Sequence, residues 1–159
     1  MKEKDIRSDI IECSINSHGI DDLIKIFNKS LNLNKNIKKD FCLDVIAIYR
    51  RSANILNSEN KSKLEIIGSA DPGLFKNDYE KNLYNKIHTI RKYFSSIGRD
   101  EDYDESLKTL SSAKIEVNEF FENVIVNDQE EIIKKNRLEL LKMLCKSFDN
   151  YFNFSKIES

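Results

Sequence analysis

Apolar residues recur every three to four positions along almost the whole chain, and this spacing predicts helices rather than strands. The clearest stripe holds its spacing for about five helical turns and predicts one long helix that stops near Gly98. Its members are Tyr79, Leu83, Ile87, Ile90, Phe94 and Ile97. Shorter stripes of the same period precede and follow it. The pattern therefore predicts an all-α fold, a helical bundle of six to seven helices.

Local signals predict where several helices begin. Asp21 is expected to cap a second helix, whose inner face would carry Leu23, Ile24, Phe27 and Leu31.

Three more starts are predicted further along the chain. Asp71-Pro72 is expected to open the long helix, since proline is tolerated in the first turn. Asp102 is expected to cap the next helix, and Asn127 with Glu130 has capping-box spacing before the last one. Between 57 and 70 the apolar stripe lapses, so a loop excursion is expected there within a single domain over residues 1–159.

Charge is unevenly distributed although the net charge is −1. Residues 100–133 carry 2 basic and 11 acidic groups, whereas residues 41–99 carry 10 and 6. A polyanion would therefore be expected to contact 41–99 and the basic positions of 134–146. No apolar run reaches the roughly 18 residues of a membrane span, and the N-terminus lacks the apolar core of a signal peptide. A cytoplasmic location is expected, without a membrane partner.

The chain offers little for catalysis. His18 and His88 lie in no metal-ligand or nucleophile motif, and the glycines are too scattered for a phosphate loop. Cys13, Cys42 and Cys145 are odd in number and far apart, so buried thiols are expected rather than disulfides or a zinc site. We expect no catalytic residue, no metal and no cofactor in this domain.

Five segments, taken in order, resemble one family. The chain reads Arg-Ser-Asp-Ile-Ile from Arg7 and Tyr-Arg-Arg-Ser-Ala-Asn-Ile-Leu from Tyr49. It then reads Asp-Tyr-Asp-Glu-Ser-Leu from Asp102, Val-Asn-Glu-Phe-Phe-Glu-Asn-Val from Val117 and Asn-Arg-Leu-Glu-Leu-Leu from Asn136. These segments resemble the C-terminal anticodon-binding domain, of the DALR type, found in bacterial glycyl-tRNA synthetase beta subunits.

The resemblance implies a non-catalytic module that binds the anticodon stem-loop of a glycine tRNA. It also implies that the chain is a fragment of a longer subunit and that its partners are the rest of the beta subunit and an alpha subunit. The alpha subunit would carry out the chemistry, and the parent complex would bind ATP and act as a glycine–tRNA ligase. The chain departs from the family pattern at Lys114, where the family has arginine, and it lacks the proline that follows.

Reading an anticodon loop requires amide or guanidinium groups for base edges, cations for phosphates and a planar surface for stacking. The candidates for tRNA binding are Arg50, Arg51, Asn54, Lys134, Lys135 and Arg137. Tyr49, Tyr93 and Tyr103 are candidates for stacking.

Alternatives remain open for these residues and for the function. Arg137 and Asn54 could instead stabilise helix ends, and the tyrosines could lie at the edge of the core. The near-zero net charge and the long apolar stripe from Tyr79 to Ile97 also fit a helical protein-interaction or assembly module without RNA binding. On the tRNA hypothesis, charge reversal at Arg50 or Arg137 is expected to lower tRNA affinity without changing stability.

Overall fold

The computed structural model describes residues 6–17, 23–60, 64–98 and 100–157. Within these ranges the chain forms helices and no strand, which confirms the predicted all-α bundle. The seven α-helices are α1 Ser8–Ser17, α2 Leu23–Asn36, α3 Asp40–Glu59, α4 Asp78–Ser96, α5 Tyr103–Ser111, α6 Lys114–Asn123 and α7 Glu131–Asp149. Two 3₁₀ turns lie at Pro72–Leu74 and Phe154–Lys156.

Helix α7 is the central element of the core. It packs against α3 and α4, and it is buried on more than one face, from Ile133 to Phe148. Because the buried residues of α7 include Asn136, Arg137 and Glu139, these polar groups need hydrogen-bond partners from neighbouring segments. The chain then folds back over the core, where Tyr151, Phe152 and Phe154 are fully buried.

The long apolar stripe forms the buried face of helix α4, as predicted. Leu83, Ile87 and Ile90 of α4 are fully buried, and the helix ends at Ser96, just before Gly98. Helix α5 is capped by Asp102, whose side chain accepts the Glu105 N–H. Of the predicted buried thiols, Cys42 and Cys145 are buried and reduced, and the side chain of Cys13 lies outside the described residues.

The predicted inner face of α2 is wrong. Ile24 and Phe27 are 76% and 56% exposed, and the helix instead buries Ile26 and Leu33. The predicted cap Asp21 lies outside the described residues.

Polar contacts hold α2 in the orientation that buries Ile26 and Leu33. Lys29, which is fully buried, lies 3.6 Å from the Glu101 carboxylate and 5.0 Å from the centre of the Tyr151 ring. Asn36 donates to the Asp104 carboxylate at 2.8 Å. An apolar stripe alone could not reveal these interactions, because each partner lies in a distant part of the sequence.

Two predicted helix starts are also wrong. Asp71-Pro72 opens only the first 3₁₀ turn, and α4 begins six residues later with a capping box between Asn77 and Glu80. The last helix does not use Asn127: Asp128 accepts the Glu130 N–H, and α7 begins at Glu131.

The stretch from 57 to 70 is only partly a loop. Helix α3 continues to Glu59, and residues 64–71 run without regular secondary structure along α7. Gly68 has a φ of 85°, a conformation that glycine adopts without strain.

Candidate nucleic-acid interface

Polar side chains of α7 hold the segment that leads into α4. The Glu139 carboxylate, which is buried, accepts the backbone N–H groups of Ile67, Gly68 and Ser69. Asn136 pairs with the backbone of Asp71 in both directions, at 2.7 and 3.0 Å. The Asn-Arg-Leu-Glu segment of the resemblance therefore fixes the approach to α4.

Arg137 lies inside the fold. Its Nε donates to Glu80 at 2.7 Å, and its Nη1 donates to the Ile125 carbonyl and to Asp128, both at 2.8 Å. Only 6% of Arg137 is exposed, and Glu80 is fully buried. The role of Arg137 in tRNA binding stays a prediction, but its position favours the structural alternative. Stability should therefore change on substitution, contrary to the expectation from sequence.

Asp128 is suited to remain charged beside this arginine. The backbone N–H of Glu130, followed by the hydrogen bond and charge of Arg137, lowers the pKa of Asp128 below its ordinary value. Arg137 thus connects α7 to Glu80 of α4 and to Ile125 and Asp128 in the loop before α7.

Arg50 and Arg51 point to different parts of the surface. Arg50 is half-buried and donates to the backbone carbonyl of Ile157. It lines a cleft of about 360 Å³ together with Arg7 and Lys38. Arg51 is exposed, and its guanidinium carbon lies 4.1 Å from the centre of the Phe121 ring on α6. Asn54, also exposed, follows Arg51 by three residues on α3, so the two are surface neighbours.

The two lysines at the start of α7 lie near the end of α3. Lys134 pairs with Glu59 at 2.7 Å. Lys135 is exposed and has no hydrogen-bond or ion-pair partner among the described residues. Tyr49, at the middle of α3, donates to Asp149 at the end of α7 at 3.0 Å, whereas Glu59 at the end of α3 pairs with Lys134 near the start of α7, so α3 and α7 run antiparallel.

Four of the six predicted residues lie on α3 and at the start of α7, and the Lys134–Glu59 ion pair joins these two stretches of chain. We call Arg51, Asn54, Lys134 and Lys135 the α3–α7 edge. Along the axis of α3, Arg51 and Glu59, the ion-pair partner of Lys134, are separated by a rise of about 12 Å over eight residues. Arg50 and Arg137 do not belong to it.

The three predicted stacking residues are engaged within the protein. Tyr49 is buried, Tyr93 hydrogen-bonds to Ser106 at 3.3 Å, and Tyr103 makes an edge contact with Tyr151.

The positioning roles of Glu80 and Glu139 were not predicted. The sequence does contain one indication of the role of Glu139, because this residue lies between leucines in the last helix. A carboxylate in such a stretch is expected to be buried and to need hydrogen-bond donors from another part of the chain.

None of the described helices is long and apolar enough to cross a membrane. No group of three or more His, Cys, Asp or Glu side chains with the arrangement of a metal site occurs in the described part of the chain.

Residues 45–159 match the DALR anticodon binding domain family. The chain is 34% identical over 119 residues to the glycine–tRNA ligase beta subunit of Rickettsia typhi, covering 75% of this chain and 17% of that protein. It is 32% identical over 146 residues to the protein of the same name from Rickettsia africae, covering 84% and 21%. The chain thus spans about a fifth of the length of these relatives.

Proposed function

Because this chain belongs to the DALR anticodon binding domain family, we propose that it is a non-catalytic module that binds the anticodon stem-loop of a glycine tRNA. It would do so as part of a glycine–tRNA ligase beta subunit in the cytoplasm. Aminoacylation, with its ATP, would take place on a separate alpha subunit. This chain would need no metal or cofactor of its own.

The observation that best supports the proposal is the α3–α7 edge, which lies within the family match. Arg51 and Asn54 are exposed there, and Lys135 has no partner among the described residues. Guanidinium, amide and ammonium groups are the donors that contact phosphates and unpaired base edges. Stacking on Phe121 holds the Arg51 guanidinium in place, which reduces the entropy lost on binding.

The charges on and around the α3–α7 edge limit the expected affinity for RNA. Lys134 already pairs with Glu59, so only part of the local positive charge is available to phosphates. The net charge of the chain is −1. The affinity of the isolated module should therefore be modest and should fall steeply as salt rises.

A titration tests the proposal directly. The 159-residue chain is titrated with a glycine tRNA and with the same tRNA carrying a changed anticodon, each at two salt concentrations. We expect tighter binding of the unchanged tRNA, and we expect Arg51→Gln to weaken it by about 1–2 kcal/mol with little change in melting temperature. The matched control is Lys108→Gln, which removes an exposed cation from the acidic helix α5. Equal binding of both tRNAs would contradict anticodon recognition.

A second candidate function is a protein-interaction module, and the exposed face of α2 favours it. Ile24 and Phe27 are three residues apart on one face and are largely exposed. Such a face is typical of a contact with another protein surface, here the rest of the beta subunit or the alpha subunit. Absence of tRNA binding at any salt concentration, with retained association with the rest of the ligase, would favour this function.

A further inference from the structure

An aromatic cleft lies at the start of α4, and none of the six residues predicted from the sequence lines it. It has a volume of about 390 Å³, within the usual 300–1,000 Å³ range of small-molecule sites. Its lining includes Phe75, Lys76, Lys81, Tyr84 and Asn85.

The two aromatic rings form one wall of this cleft. Phe75 and Tyr84 are half-buried, with ring centres 5.4 Å apart and planes inclined at 66°. Tyr84 also meets His88, which lies one turn further along α4, at 4.4 Å. The rings support one another, while part of each remains accessible to a ligand.

Polar groups of suitable chemistry surround the rings. Lys76, Lys81 and Asn85 are exposed, and the Asn85 amide makes no hydrogen bond with the described residues. Asp78 also lines the cleft and opposes part of this charge. Across residues 72–98 there are five basic and two acidic groups. One of the two acidic residues, Glu80, is buried against Arg137. The exposed surface of residues 72–98 is therefore more basic than the number of charged residues in the sequence indicates.

The floor of the cleft is held from beneath. The Glu80 carboxylate accepts the N–H groups of Lys76 and Asn77 at 2.7 and 3.2 Å, and Arg137 holds that carboxylate from α7. Asn136 anchors Asp71 at the other end of the turn. The conformation that carries Phe75 and Lys76 is thus determined before any ligand arrives, and little ordering cost is left for binding.

We propose that this cleft receives an unstacked base of the bound tRNA loop, with Phe75 and Tyr84 as the stacking wall. Asn85 contacts the edge of the base, and Lys76 and Lys81 contact the flanking phosphates. This inference rests on the proposed function. Single-stranded RNA is bound by aromatic faces combined with cations and amides. The three tyrosines predicted to stack are engaged inside the fold, and Arg51 covers Phe121, so this cleft supplies the missing planar surface.

Photocrosslinking tests the placement of the base. An RNA hairpin with a glycine anticodon loop is made in several forms, each with one loop pyrimidine replaced by its 5-iodo derivative. Each form is irradiated with the full 159-residue chain, and the crosslinked peptide is identified by mass spectrometry. At least one loop position should crosslink to Phe75 or Tyr84. Crosslinks found only elsewhere on the chain would overturn the inference.

Binding measurements with matched variants supply the second readout. Tyr84→Leu should weaken hairpin binding roughly 5- to 50-fold through lost stacking. Lys81→Gln, at an exposed position that leaves the core intact, should reduce the salt dependence by about one phosphate contact. Lys108→Gln is the control and should change neither quantity, and a melting curve of each variant checks that it folds.

The outcomes separate the two proposals. If the wild-type chain binds the hairpin while Tyr84→Leu and Lys81→Gln bind it equally well, the cleft is wrong and the proposed function stands. If the wild-type chain binds neither the hairpin nor the glycine tRNA, both are wrong.

Discussion

Replacing Arg137 by methionine removes the charge from the centre of the bundle and keeps most of the side-chain volume. Glu80 is fully buried, and Arg137 is its ion-pair partner at 2.7 Å. After the substitution, the Glu80 carboxylate would remain in the interior without a positive charge beside it. The prediction is a large loss of stability from one substitution at a position proposed from the sequence to contact RNA.

The magnitude follows from the contacts that remain. Removing one member of a buried ion pair typically costs about 3–5 kcal/mol. Here Glu80 would still accept two backbone N–H groups, which offset part of its desolvation, so the lower end of about 3 kcal/mol is expected. In a chain of 159 residues this corresponds to a fall in melting temperature of roughly 6–12 °C.

Urea denaturation of four proteins measures the effect and its origin: wild type, Arg137→Met, Glu80→Gln and the double variant. Glutamine at position 80 can still accept the capping N–H groups but carries no charge. The double variant should therefore be more stable than the sum of the two single losses indicates, by about 2 kcal/mol. A single loss below about 1 kcal/mol, or additive losses, would refute the argument. Lys134→Met is the matched control: its pair with Glu59 is more exposed, and about 1 kcal/mol or less should be lost.

Three other predictions follow from buried groups. Glu139→Gln removes the charge that accepts three backbone N–H groups and should cost about 1–3 kcal/mol in urea denaturation; an unchanged midpoint would contradict this role. Burial raises the pKa of Asp149, so the folded state binds its proton more readily and this group reduces stability as pH rises above the ordinary value of 3.8. Asp149→Asn should therefore stabilise the protein at pH 7 and lose that advantage at pH values below 3.8, as measured by denaturation at several pH values. Burial raises the pKa values of Cys42 and Cys145 to about 12, so in a Cys13→Ser chain both should react slowly with a thiol reagent until denaturant is added; rapid labelling of the folded chain would show that they are accessible.

The helical architecture could be predicted because it depends on local periodicity. The α4 seam and the Asp102 cap are properties of neighbouring residues on one helix, and both occur as predicted. Helix starts were less predictable where a residue from another helix takes part. The cap of α4 depends on Glu80, whose carboxylate is held by Arg137 from a helix more than fifty residues away.

The candidate site was predicted only at the level of residue types. The basic segments could be identified from charge alone, but Arg50 and Arg51, which are adjacent in sequence, have different surroundings. The direction of α2 and the interior position of Arg137 depend on carboxylates supplied by distant segments. The amino-acid sequence by itself determined the helices, the family resemblance and the distribution of charge, because these are local or additive quantities. Only the tertiary structure decided which cations reach the surface and which rings line a cleft, because burying a charge requires a partner that packing brings from elsewhere in the chain.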